Sequence, residues 1–283
     1  MPLELFEDEF GDWRNANFLG TASDIAYYTE AEAKGRFRET LGMDARLISH
    51  DNTQCYVLTN DRHIVLAFRG TEGPTTIDGL KDWLLTDAMN LLIVPTGRLG
   101  TDFIAASVGA RFHQGFINAL AEVWDGVYEA TTEELKKSER PLWITGHSLG
   151  GALALLAGWL FTRKFISVHQ IYTFGGPMIG NKDAVAAFDK NLKGKIFRYV
   201  DPHDPVPQLP TLSLIANEFD HCQSLVGLGQ FEEGSFWKNV ASHAIGGVFT
   251  GGGIDVAWKF ITDRIGAHSM TSYLAALKTR LNV

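Results

Sequence analysis

Six residues hold the strongest chemical signal in the chain: the run GHSLGG, from Gly146 to Gly151. Before it stands PLWIT, a short apolar stretch rich in β-branched and aromatic residues. After it comes ALALLAGWLF, too rich in Ala and Leu for a loop. Strand, tight turn and helix is the setting that a G-x-S-x-G nucleophile elbow needs. Gly146 and Gly150 would let strand and helix approach where side chains would clash. Ser148 would sit at the helix N-terminus, where free backbone N–H groups can stabilise an oxyanion. The competing reading is an ordinary glycine-rich turn before a helix.

A serine hydroxyl needs a base, and the base needs an orienting acid. With such an elbow on a parallel sheet, the chain order is Ser, then Asp or Glu, then His. Five of the nine histidines follow Ser148: His169, His203, His221, His243 and His268. His169 opens a strand, which suits packing. The acid should follow a strand end, and VDPHDPVPQLP offers Asp201 and Asp204 in a loop stiffened by prolines. Asp204 is preferred, leaving Asp201 as a turn-capping residue. His268, just before the last expected helix, is preferred as base over His221 and His243. One oxyanion N–H should come from Leu149, the residue after the serine. The second has a candidate in Thr71, at the end of HIVLAFRGT; a plain strand-ending turn is the alternative.

The elements that must position these groups are legible in outline. The spacing predicts one or two helices over 17–41, then a hairpin of CYVLTN and HIVLAFRG broken at Asp61 and Arg62. Residues 71–79 are turn-rich, and LKDWLLTDAM suits a short amphipathic helix. NLLIVP reads as a strand ended by Pro95, and 96–110 has no clear pattern. A helix is expected from Gln114 onward. From Pro141 the order is strand, helix (149–164), strand (HQIYTFGG), helix (181–192), strand (KIFRYV). That alternation implies a parallel sheet covered by helices. Two helices close the chain, about 254–265 and 269–281. Ligands of such sheets bind beyond the strand C-termini, where Ser148 and the DPHDPVP loop both fall.

Composition narrows the class. The 283 residues are 45% hydrophobic and 20% charged, as in folded globular chains, and one α/β domain over 1–283 is the simplest organisation. A net charge of −8 argues against a nucleic-acid surface or tight docking on anionic lipid. The N-terminus carries five acids before its first base, unlike a secretory signal, and no run is long and apolar enough to span a membrane. A soluble chain is expected, cytoplasmic or secreted with its signal removed. Cys55 and Cys222 lack metal-ligand spacing and are expected as buried free thiols, with a disulfide as the alternative. The uncharged stretch 244–254 (AIGGVFTGGGI) reads as a flexible surface loop, with an interfacial loop as the rival.

AFRGT (67–71), KDW (81–83), FHQGF (112–116), ITGHSLGG (144–151), TFGGPMIGN (173–181), RYVDPHDPVPQLP (198–210) and AHSMTSYL (267–274) follow one another in an order that resembles the class 3 lipases. These are α/β-hydrolases that include the fungal triacylglycerol lipases. The resemblance implies an α/β-hydrolase fold in which Ser148 is the nucleophile, Asp204 the acid and His268 the base. It assigns the oxyanion donors to Thr71 and Leu149. It implies a lid near 72–90, lengthened here by GPTTIDG, and no metal or organic cofactor. The substrate implied is a lipid ester, met at a lipid–water interface. Carboxylesterase, phospholipase A1 and feruloyl esterase activities would use the same triad; a non-catalytic lipid-binding member would have lost part of it. The sparse cysteines lean towards a bacterial-type member.

Overall fold

The central strands are buried on both faces, so their sequences are almost continuously apolar. The structure, a computed structural model, describes residues 2–70, 92–208, 219–229 and 263–282. Among these, seven strands form one sheet in the order β1-β2-β3-β4-β5-β7-β9. They are β1 (Asp44–His50), β2 (Thr53–Thr59), β3 (Ile64–Phe68), β4 (Leu142–His147), β5 (Gln170–Phe174), β7 (Ile196–Val200) and β9 (Leu225–Gly227). The pairs β1–β2 and β2–β3 are antiparallel, and from β3 to β9 every neighbour is parallel. Two further short strands, β6 (Gly180–Asn181) and β8 (Phe219–Asp220), pair with each other.

Alternating side chains feed two cores. Ile64, Leu66 and Phe68 of β3 face one side, with Leu142 and Ile144 of β4. Val65, Ala67 and Trp143 face the other. Helix α1 (Trp13–Ile25) covers the second face together with α7 (Met270–Leu281). Helices α4 (Gln114–Lys137) and α5 (Leu149–Arg163) cover the first, and α6 (Lys182–Asn191) joins them through Val185 and Phe188. Crossovers through α4, α5 and α6 keep β3, β4, β5 and β7 parallel. Their C-terminal ends, at Arg69, Ser148, Gly175 and Asp201, therefore share one edge of the sheet. This is the α/β-hydrolase arrangement.

The elements depart from the sequence pattern in definable ways. Helix α1 begins four residues before the expected start, because the Asp12 side chain accepts a hydrogen bond from the Arg14 N–H at 2.9 Å and caps it. A second helix, α2 (Glu30–Arg36), runs into a π-turn, Phe37–Leu41, that ends at Gly42 with φ +62°. Strand β1 (DARLISH) escapes the pattern because it lies at the sheet edge and is largely solvent-facing. The strand expected at NLLIVP is corrected to a single bridge between Ile93 and Phe112. The following stretch holds the short helix α3 (Gly100–Ile104). At the end of the expected helix 254–265, Ile265 opens a 3-10 turn, Ile265–His268, instead. Thr71, His243, the expected lid over 72–90, the rest of that tail helix (254–262) and the stretch 244–254 lie outside the described residues. Cys55 and Cys222 are buried free thiols, and burial pushes both well above the usual thiol range.

Candidate active site

Ser148 has φ 57° and ψ −129°, a conformation rarely taken by a residue with a side chain. Such a residue costs on the order of 1–3 kcal/mol and persists only where its surroundings hold it. Here the surroundings are close-packed backbone. A Cβ on Gly146 would lie 2.2 Å from the Gly150 carbonyl oxygen, and one on Gly150 would lie 2.3 Å from that of Phe68. The two motif glycines thus let β4, α5 and the end of β3 meet. The Ser148 N–H donates to the Phe174 carbonyl at 3.0 Å, and its own carbonyl accepts from the Gly151 N–H at 2.9 Å. Leu149 opens α5, so its N–H belongs to the first turn, where no intrahelical acceptor exists. The end of β3 packs on the same turn.

The two aspartates after β7 do different things. The Asp201 carboxylate accepts from the His203 N–H at 2.8 Å, and its carbonyl accepts from the Asp204 N–H at 3.0 Å. It caps the turn. Asp204 is buried, at 1% exposure, and accepts three hydrogen bonds: from the Val206 N–H at 2.9 Å, the Tyr273 hydroxyl at 2.6 Å and His268 Nδ1–H at 2.8 Å. A buried carboxylate without such donors would be costly to ionise. Pro205 follows in the same turn, and its ring fixes one backbone angle there.

His268 ends the 3-10 turn that delivers the chain to α7. The Ser269 side chain caps that helix by accepting from the Ser272 N–H at 3.1 Å. His268 is 2% exposed, and its Nε2 has no hydrogen-bond partner among the described residues. Gly175 makes room for the pair. It has φ +59°, and a Cβ there would lie 2.7 Å from Asp204 Oδ2 and 3.0 Å from His268 Nδ1. Because Phe174 receives the Ser148 N–H, Gly175 stands between the serine and the Asp–His pair.

The other described histidines after Ser148 are occupied elsewhere. His169 Nε2 faces the Glu7 carbonyl at 3.0 Å. His203 is exposed beside Asp201. His221 is partly buried, with Nε2 donating to the Pro207 carbonyl at 2.6 Å, and desolvation holds it well below the usual histidine range. Three other participants were not singled out by the sequence reading: Tyr273, Tyr27 and His147. Tyr273 lies one helical turn past His268, so its type and spacing could have marked it. Its hydroxyl is pushed well up, first by burial and then by the Asp204 charge. It stays protonated and donating. Tyr27 comes from a helix end 120 residues away, beyond the reach of spacing.

The arrangement can support nucleophilic acyl transfer. It has a hydroxyl on a strained turn, an imidazole with one nitrogen held by a buried carboxylate and the other without a partner among the described residues, and helix N–H groups beside the serine.

Known proteins resemble this chain in sequence and in fold. The sequence profile of the family described as Lipase (class 3) matches residues 65–214. A secreted mono- and diacylglycerol lipase from Fusarium solani is 35% identical over 119 residues, 41% of this chain and 34% of that one. A chloroplastic phospholipase A(1) from Arabidopsis thaliana is 28% identical over 169 residues, 56% of this chain and 36% of that one. The matched stretch thus spans about a third of each relative's length. Among solved structures, a mutant form of MDLA from Penicillium cyclopium superposes with a TM-score of 0.60 at 22% identity, covering 77% of this chain and 80% of that one. The Lip2 lipase from Yarrowia lipolytica gives 0.60 at 18%, covering 76% and 78%. These two likenesses establish the fold. With the family profile lying across β3, the elbow and the Asp204 loop, the chain belongs to the class 3 lipase family.

Proposed function

We propose that this chain hydrolyses carboxylic esters of lipids through an acyl-enzyme formed on Ser148. The observation that carries the reading is the buried Asp204–His268 pair, with its open Nε2, beside a serine held at positive φ on a helix N-terminus. His268 Nε2 takes the proton of Ser148 as Oγ attacks the ester carbonyl. The backbone N–H of Leu149 and a donor from Thr71 hold the tetrahedral oxyanion. Asp204 fixes the imidazole tautomer and stabilises the imidazolium. The protonated His268 then gives its proton to the leaving alcohol oxygen. Water, activated by the same nitrogen, releases the acid from the serine. The chain acts as one catalytic domain, with 72–90 as its lid.

Triacylglycerol and its partial glycerides are the preferred substrate class. The phospholipase A(1) from Arabidopsis thaliana, matched over 56% of this chain, gives phospholipid as the second reading. Fatty-acid release from emulsified triacylglycerol and from phosphatidylcholine vesicles separates the two. The expected result is faster release from the acylglycerol, lost in Ser148→Ala. Release from vesicles alone would assign the phospholipase activity, and undiminished release by Ser148→Ala would end the proposal.

A further inference from the structure

A second buried histidine adjoins the expected base. The rings of His147 and His268 lie 4.5 Å apart, centroid to centroid, and are tilted by 33°. His147 Nε2 is 2.6 Å from the His268 carbonyl oxygen, and its Nδ1 is 2.8 Å from the Tyr27 hydroxyl. A carbonyl can only accept, so Nε2 must carry the hydrogen. In a neutral ring Nδ1 then presents a lone pair, and the tyrosine hydroxyl must donate to it. Tyr27 is itself pinned: a Cβ on Gly70 would come within 2.1 Å of its oxygen. A directed chain therefore runs from the end of β3, through Tyr27 and His147, to the backbone of His268.

We propose that His147 is a positioning residue for the base, with its tautomer set by Tyr27 and its Nε2–H anchoring the His268 backbone. The inference rests on the reading of Ser148, His268 and Asp204 given above. Asp204 holds the ring of His268 through Nδ1, but one bond leaves rotation about its axis. His147 supplies the second anchor, on the carbonyl, and the two together aim Nε2 at the serine. The charged and titratable groups around His147 are consistent with a neutral ring. Tyr27 and, beyond it, Asp24 come from α1 and the turn after it, and Arg69 comes from the end of β3. His268 and Tyr273 come from the tail, with Asp204 behind them. Burial, and after it the neighbouring His268, holds His147 well below the usual histidine range. A neutral ring adds no like charge beside the imidazolium that forms during turnover.

The test is steady-state hydrolysis of p-nitrophenyl butyrate, below its solubility limit, by the full chain. His147→Ala should lower kcat by about 100-fold with KM within about twofold, since losing alignment by about an ångström costs that much. His147→Gln can place an amide N–H near the original Nε2–H and should recover about tenfold of the loss. Tyr27→Phe deletes one oxygen, threatens folding least, and should lower kcat about three- to tenfold. In histidine ¹⁵N NMR the intact protein should show His147 as a neutral Nε2–H tautomer between pH 6 and 8, and Tyr27→Phe should blur it. Full kcat in Tyr27→Phe and His147→Ala would overturn the proposal. So would losses confined to KM, or a folded His147→Gln as slow as His147→Ala. Ser148→Ala in the same assay separates the two levels. If it is inactive while Tyr27→Phe is unaffected, only the positioning role falls; if it is active, the underlying reading falls first.

Discussion

Two histidine clusters sit at opposite ends of the same sheet, and only one is arranged for chemistry. At the N-terminal edge, His63 Nε2 meets the Glu7 carboxylate at 3.1 Å and His169 Nε2 meets the Glu7 carbonyl at 3.0 Å, with Trp143 packed against both rings. Gln170 adds a bond to the Glu9 carbonyl at 3.2 Å. Together these groups tie the first dozen residues under the sheet. Glu7 is 40% exposed, and both of its contacts use the ring nitrogen that a base would need free. At the C-terminal edge the carboxylate is buried and accepts three bonds, and Nε2 of the imidazole beside it has no partner among the described residues. Both edges hold histidines and an acid. A histidine fastened through Nε2 clamps chain; one held through Nδ1 leaves Nε2 to move a proton.

The comparison breaks most sharply at Ser148. Ser148→Ala should cut ester turnover by about a millionfold, as loss of a nucleophile does in sites of this kind, while circular dichroism stays unchanged. Asp204→Asn should cost about 10,000-fold in kcat, because a carboxamide favours the wrong imidazole tautomer. Tyr273→Phe removes a hydroxyl donor from a buried carboxylate and should lower kcat by about 10- to 100-fold, from the worth of a hydrogen bond to a charged group. Glu7→Gln at the opposite edge should leave kcat within twofold and lower stability by under about 1 kcal/mol, as for a partly exposed pair. A large loss of activity there would erase the distinction between the two edges.

A smaller effect concerns acid. His147, His221, His63 and His169 are all held below the ordinary histidine range, in each case mainly by burial. In the unfolded chain they take up protons near pH 6.5; in the fold they do so only further down. The unfolded state therefore binds more protons below about pH 6.5, and stability falls as pH drops through that window. His221→Gln can keep the donor to the Pro207 carbonyl, and should flatten this slope by up to one proton in urea titrations at pH 7 and pH 5.

Legibility in the sequence followed how local each cause was. The elbow was readable because its strand, turn and helix are contiguous and both glycines answer to close backbone contacts. The parallel order followed from the alternation after Pro141. The DPHDPVP loop already favoured Asp204 over Asp201, and the resemblance to a family supported that choice. In the structure Asp204 accepts bonds from Val206, Tyr273 and His268, whereas Asp201 caps its turn. Strand β1 was invisible because an edge strand can be polar. Tyr27 and the N-terminal clamp were invisible because their partners lie from 56 to 162 residues away. Such contacts leave no periodicity in a sequence.

The most direct test of the account is covalent. Intact protein treated with a fluorophosphonate should gain the mass of one adduct, and peptide mapping should place it on Ser148. Ser148→Ala should gain none, and His268→Ala should react far more slowly. An adduct on another residue, or equal labelling of Ser148→Ala, would contradict the assignment of the nucleophile and the mechanism built on it.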